Sequence, residues 1–188
     1  MFVFRSLTIG GFLALLVGCA PMPAEMSLDS SPRSARDAGL IVGSLVDSGP
    51  YGTWIGFRHL QTGQVMGWGA KDLYSAWLPA GDYEVQEMGS RRGTMGPFGA
   101  PLRFTVKQGE INYLGELLYN CPEPIESAAR YGVKHCGLFA LGTCEVTYAS
   151  ARICIVNRQE SALRSFLKEH PEHSALPVRS ALMSGGNR

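Results

Sequence analysis

Six residues near the middle of the chain do most to limit its fold. Leu102, Phe104 and Val106 alternate with Arg103, Thr105 and Lys107. Successive side chains of a strand point to opposite faces, so this pattern sets an apolar row on a core and a polar row in solvent. Gln108-Gly109-Glu110 then supplies a turn, and Ile111 to Tyr119 reads as the next strand. Ile111, Tyr113, Gly115, Leu117 and Tyr119 fall on one face, and Asn112, Leu114, Glu116 and Leu118 on the other. Apolar residues on both faces predict a central strand.

The same texture runs upstream from Gly39. Leu40–Val46, Tyr51–Leu60, Val65–Trp68, Leu73–Leu78 and Tyr83–Met88 are short apolar stretches. Gln61-Thr62-Gly63-Gln64 and Pro79-Ala80-Gly81-Asp82 punctuate them with turn chemistry. About seven strands at this spacing, with no helical segment between them, predict a mainly β fold built as an antiparallel sandwich of the immunoglobulin or prealbumin kind.

Two longer stretches carry a resemblance. Leu78-Pro79-Ala80-Gly81-Asp82-Tyr83-Glu84-Val85 is followed by Phe104-Thr105-Val106-Lys107-Gln108-Gly109-Glu110-Ile111-Asn112-Tyr113-Leu114-Gly115. The pair resembles carboxypeptidase-regulatory-like (prealbumin-like) sandwiches and lipoprotein domains of unknown function. There the first stretch makes a hairpin and the second makes the closing pair of strands. The resemblance covers residues 40–119. It implies a structural or binding module, and it brings no catalytic residues with it.

The N-terminus sets the address. Arg5 precedes an apolar run from Leu7 to Val17, too short for a membrane-spanning helix, which needs about 20 residues. The run fits the apolar region of a secretory signal. It ends in Leu16-Val17-Gly18-Cys19, which resembles the lipobox of bacterial lipoproteins. That resemblance implies cleavage after Gly18 and lipid attachment at Cys19, and Ala20 in place of Asp favours the outer membrane. The alternative is an ordinary signal that leaves a free cysteine. Residues 1–18 are thus read as a signal peptide and 19–38 as a lipidated flexible tether. Removing 1–18 takes away Arg5 alone, leaving 16 basic residues against 16 acidic ones. So neutral a balance gives no footprint for nucleic acid.

With Cys19 assigned to lipid, Cys121, Cys136, Cys144 and Cys154 remain. In an exported chain they read as two disulfides. Their gaps fit no zinc pattern, and no metal or cofactor is implied. The expected pairs are Cys121–Cys136, closing an insertion over 120–143, and Cys144–Cys154, facing each other across a hairpin of Cys144–Tyr148 with Arg152–Val156. The β domain as a whole is placed at 39–156. A helix is expected over 157–170, with Asn157 and Glu160 at capping-box spacing and Leu163, Phe166 and Leu167 on one face. Pro171 ends it, and 171–188 reads as a flexible tail.

Catalytic motifs are sparse. There is no Gly-x-Ser-x-Gly elbow. His59, beside Arg58, reads as an exposed strand residue, and Pro171 separates His170 from His173. Tyr51, Trp54, Trp68, Tyr74 and Trp77 read mainly as core, with Trp54 and Trp68 the candidates for an exposed platform. The main candidate for recognition is the segment Gly89–Pro101. Its glycines suggest a mobile loop, Arg91 and Arg92 bring charge, and Met95 and Phe98 offer apolar contact at the tip. The sequence therefore favours a non-catalytic binding or structural module, held to a membrane by lipid, with an envelope protein as a possible partner. The alternatives are an envelope enzyme or enzyme inhibitor using the 89–101 loop, and an accessory subunit of an envelope or secretion assembly.

Overall fold

The computed structural model describes residues 27–28, 33–46, 51–69, 73–90, 93–122, 126–136 and 144–185, leaving aside the side chains of 51–53, 68, 69 and 90. The first half of the chain forms β1 (Ala38–Val46), β2 (Tyr51–His59), β3 (Val65–Gly69), β4 (Tyr74–Pro79), β5 (Gly81–Ser90), β6 (Gly93–Pro97) and β7 (Leu102–Val106). The second half forms β8 (Ile111–Tyr119), β9 (Ala129–Val133), β10 (His135–Cys136), β11 (Cys144–Glu145), β12 (Ala151–Val156), helix α1 (Gln159–Glu169), β13 (Val178–Ser180) and β14 (Ser184–Gly185). All strands but β10 and β11 join one curled, mixed sheet.

Two long strands organise that sheet. β5 carries β2 along one edge, while β7 pairs its first four residues and β6 its last three on the other. β8 carries β1 along one edge, with β13 and then β12 on the other. The two halves are bridged twice. At one end β6, β9 and β12 run antiparallel from β5 to β8. At the other, the chain passes from β13 through 181–183 to β14, which pairs with β7. We call residues 180–185 the strap.

The curl encloses the main core. Phe104 stacks on Tyr83 with ring centroids 5.2 Å apart and meets Phe57 edge-on at 5.2 Å. Leu102, Phe104 and Val106 are buried, while Arg103 and Thr105 are exposed, as the alternation requires. A second cluster lies outside the sheet. Leu40, Val42, Trp77 and Ile111 are covered there by Phe166, Leu163 and Leu167 of α1. Both faces of β1 are therefore buried, which explains why Leu40, Ile41 and Val42 are apolar in succession.

Several expectations need correction. The sheet is not antiparallel throughout, because β1 and β13 both run parallel to β8. β4 and β5 form no hairpin: β4 pairs with β1, and β5 with β2, β6 and β7. Pro79–Gly81 is instead a corner, tied by the Tyr83 hydroxyl donating to the Pro79 carbonyl at 2.8 Å. β7 and β8 do not pair either. Asn112 joins them, accepting from the Lys107 N–H and donating back to its carbonyl, both at 2.9 Å.

The alternation in β8 also slips. Gly115, at φ +96, sits in a bulge, and the pairing with β1 jumps from Val42↔Tyr113 to Ser44↔Glu116. One extra residue moves every later side chain to the other face. Ile111 accordingly joins the outer cluster, while Leu117 and Tyr119 join the inner core.

The region expected as an insertion supplies β9, a full member of the sheet. The cysteines pair Cys121–Cys154 and Cys136–Cys144, not as expected. β12 inserts between β9 and β8 and sets Cys154 opposite Leu118, three residues from Cys121. Cys144 pairs with Cys136 across the small β10–β11 ladder, so the predicted terminal hairpin does not form.

The helix begins later than expected, at Gln159. Asn157 lies one residue outside the cap position and accepts from the Gln159 N–H at 3.1 Å. The tail is built in rather than loose as far as Gly185. Ala181 and Met183 are buried, and their N–H groups donate to Tyr113 and Leu114 of β8.

Candidate functional site

The outer face of β2, β5 and β7 carries a polar row. Strand register sets Arg58 opposite Glu84, and Glu84 opposite Arg103. Glu84 is only 7% exposed. Its Oε1 accepts a close hydrogen bond from Arg58, and Arg103 Nη2 stands 3.5 Å from its Oε2. One carboxylate thus serves two guanidiniums. Arg103 holds the longer contact and stays half exposed, with donors to spare.

The neighbouring row is Asp82 opposite Thr105. Asp82 Oδ1 accepts from the Thr105 hydroxyl at 2.7 Å, and its Oδ2 accepts from Gln61 at 3.4 Å. β13 brings in a third arginine. Arg179 Nη1 donates to the Thr105 carbonyl at 3.0 Å and to Asn112 Oδ1 at 3.4 Å. Among the described residues Arg179 has no carboxylate partner.

The strap divides two adjoining grooves. One, of about 420 Å³, is lined by Arg103, Arg179, Thr105, Asp82 and Leu60. The other, of about 520 Å³, is lined by Phe98, Ala128, Ile155 and Met183 together with Glu126, Ser127 and Arg130. Leu182 and Ser184 line both. Phe98, Leu60 and Leu182 are large apolar side chains left exposed here. The two grooves adjoin at Leu182 and Ser184, and together we call them the trough. Counting Arg103 and Arg179 against Asp82, the lining of the first carries one net positive charge, while Glu126 and Arg130 balance in the second.

The residues singled out from the sequence separate. Cys19, Arg91 and Arg92 lie outside the described residues. The 89–101 segment is largely strand: β5 continues to Ser90, which pairs with Gly93 of β6. Met95 is not at a tip. It is fully buried and pairs with Met88 and Val133. Phe98 is exposed and reaches the trough. Sequence reasoning did not find the arginines as a group. Arg58, Glu84 and Arg103 carried a signal, since all three fall between core residues, but their alignment depends on strand register. Arg179 carried none, because its segment has no period.

Of the aromatic residues, the side chains of Tyr51 and Trp68 lie outside those described, and Trp54, Tyr74 and Trp77 serve packing. Trp77 is buried, and Tyr74 is buried with its phenol pKa pushed far up, by desolvation first and by Tyr113 and Tyr119 nearby. Trp54 lies across Gly89 and Gly56: a methyl group on Gly89 would come within 1.8 Å of the indole nitrogen. His59 corrects another expectation. It ends β2 buried, with Nδ1 2.8 Å from the Thr62 hydroxyl and its ring against Tyr83.

A short 3-10 turn at Pro171–His173 brings His170 and His173 each to 3.5 Å from Glu172 Oε1. His173 also packs on Trp77 and Phe166. The Glu172 carboxyl is held below its ordinary value by its own backbone N–H and by the two histidines. Among the described residues no set of three His, Cys, Asp or Glu side chains is arranged to hold a metal ion, and no helix is long and apolar enough to cross a membrane. No family model, curated protein or solved structure matches this chain.

Proposed function

We propose that the chain is a lipid-anchored module of the bacterial cell envelope, held at the periplasmic face of the outer membrane, that acts by binding rather than catalysis. The observation that carries this is Leu16-Val17-Gly18-Cys19 at the end of a short apolar run. Two disulfides agree with it, since such bonds persist in oxidising compartments. The body of the domain is read as prealbumin-like. In support, the Tyr83 hydroxyl bonds back to Pro79 at the corner before β5, a device familiar from Greek-key sandwiches. The binding role rests on the trough, where exposed Phe98 shares one groove with Arg130 and exposed Leu182 shares the other with Arg103 and Arg179.

The test has two parts, both in a Gram-negative host. Metabolic labelling with an alkyne fatty acid is expected to tag the wild-type chain but not Cys19→Ser, which should leave the membrane fraction. An untagged wild-type chain overturns the anchor. In-cell photocrosslinking from position 98 is expected to give a discrete adduct, whereas background labelling alone overturns the binding role of the trough.

A further inference from the structure

The two disulfides stand in opposite surroundings. Cys121 is 4% exposed and Cys154 not at all. Cys144 is exposed and Cys136 half-buried, on a ladder of two residue pairs outside the curled sheet. A thiolate must reach a sulfur before it can break a disulfide, so the open bond is the one that exchanges.

What the open bond holds is also defined. β6 and β9 set Gly96 opposite Gly132. From Cys144 the chain runs across the outer surface of this pair. A methyl group on Gly132 would come within 1.9 Å of the Tyr148 carbonyl oxygen and 2.7 Å of Val146, and one on Gly96 within 3.2 Å of Val146. The two glycines therefore form a seat that a side chain on Gly132 would fill. The Tyr148 ring meets His135 with centroids 5.7 Å apart, and the chain rejoins the sheet at Ser150, whose N–H donates to the Tyr131 carbonyl at 2.8 Å. Residues 144–149 are thus a flap, pinned covalently at Cys144 and resting on bare backbone beyond it.

We infer that Cys136–Cys144 is a thiol-exchange site, at which a dithiol reductant frees the flap from Gly96 and Gly132 while Cys121–Cys154 stays closed. One thiolate of the reductant attacks Sγ of Cys144, the more open sulfur, and Cys136 leaves as a thiolate that takes up a proton. The second thiolate of the reductant then displaces Cys144 from the mixed disulfide. Two thiols become one disulfide on the reductant, and one disulfide becomes two thiols on the protein. The buried bond, β12 and the core are untouched by this step. Arg130 lies two residues from Gly132 on the outward face of β9 and lines the second groove. Opening the flap therefore bares backbone beside a residue of that groove, and reclosing covers it.

The experiment uses the full chain carrying Cys19→Ser, which removes the fifth thiol. The native protein is incubated with dithiothreitol, and samples are quenched in acid, alkylated and mapped by mass spectrometry. Cys136 and Cys144 should be labelled at least about ten-fold faster than Cys121 and Cys154, with the near-ultraviolet dichroism retained. Limited chymotrypsin cleavage after Tyr148 should rise about ten-fold on reduction and fall back when diamide recloses the bond. Cys136→Ser/Cys144→Ser should be cleaved at the fast rate with or without dithiothreitol.

Equal labelling of the two pairs overturns the inference, as does labelling of Cys121 and Cys154 first, or loss of the near-ultraviolet signal before any thiol appears. Selective reduction with unchanged cleavage after Tyr148 overturns it as well, because the bond would then hold nothing in place.

Discussion

Asn112 occupies a position where no other side chain fits the task. It is fully buried, and its amide donates to the carbonyls of Lys107, Glu110 and Leu40 while its oxygen accepts from the Lys107 N–H. An amide has both donors and an acceptor, and one side chain thus closes the turn between β7 and β8. Asn112→Leu keeps the volume and strands those backbone groups. It should cost about 2–4 kcal/mol in urea unfolding, and a loss below about 1 kcal/mol would mean water substitutes for the amide. In the sequence Asn112 was visible only as a polar residue on a strand face. The burial that makes it matter comes from β1 and β13 on either side of β8, neither of which local pattern reveals.

Among the elements, β7 was fully legible because solvent lies on one face and core on the other. β8 was legible in extent and centrality but not in phase, because Gly115 reads as an ordinary glycine until its partner strand is known. β6 and β9 were missed for a related reason. Glycine and proline make β6 look like loop, and the flanking prolines and cysteines make β9 look like part of an insertion. Their pairing is a long-range fact. The same long-range insertion of β12 sets the disulfides. Peptide mapping without reduction should recover Cys121 with Cys154 and Cys136 with Cys144. In the loop-entropy picture, closing 33 residues contributes about 3.7 kcal/mol and closing 8 about 2.5 kcal/mol. Cys121→Ser/Cys154→Ser should therefore lower the melting temperature more than Cys136→Ser/Cys144→Ser. The reverse order would place the main constraint in the small ladder.

At the scale of the whole molecule, the curled sheet keeps several phenols from water. Burial raises the pKa of Tyr74, Tyr83 and Tyr131 well above the ordinary value of 10.0. The folded state thus favours the neutral phenol, and stability is complete below pH 10 and falls as pH rises above it. Tyr74 and Tyr131 each steepen that fall by up to about 1.4 kcal/mol per pH unit. Tyrosinate absorbance from Tyr74, Tyr83 and Tyr131 should appear only together with loss of the far-ultraviolet β signal. A single early step including all the tyrosines would mean that the core admits hydroxide without unfolding.

The site, too, exists only at this scale. Arg58, Glu84 and Arg103 come from three strands and Arg179 from a fourth, so the trough appears only when β13 and β14 are in place. Ending the chain at Pro177 removes buried Ala181 and Met183 and the backbone bonds to Tyr113 and Leu114. Such a chain is expected to show loose tertiary packing, with dye-binding apolar surface and no sharp melting transition. A cooperative transition within a few degrees of the full chain would reduce the strap to trim.

The strap also has a consequence for the order of events. Residues 181–183 meet β8 some seventy positions earlier in the chain, and everything they pack against is synthesised before them. A molecule assembled from its N-terminus therefore carries an unsealed interior until nearly its last strand emerges. Contacts this distant make folding slow, on the scale of milliseconds to seconds. During that interval the apolar inner face stays open to water and to other chains. Closure by the strap comes last and ends that exposure.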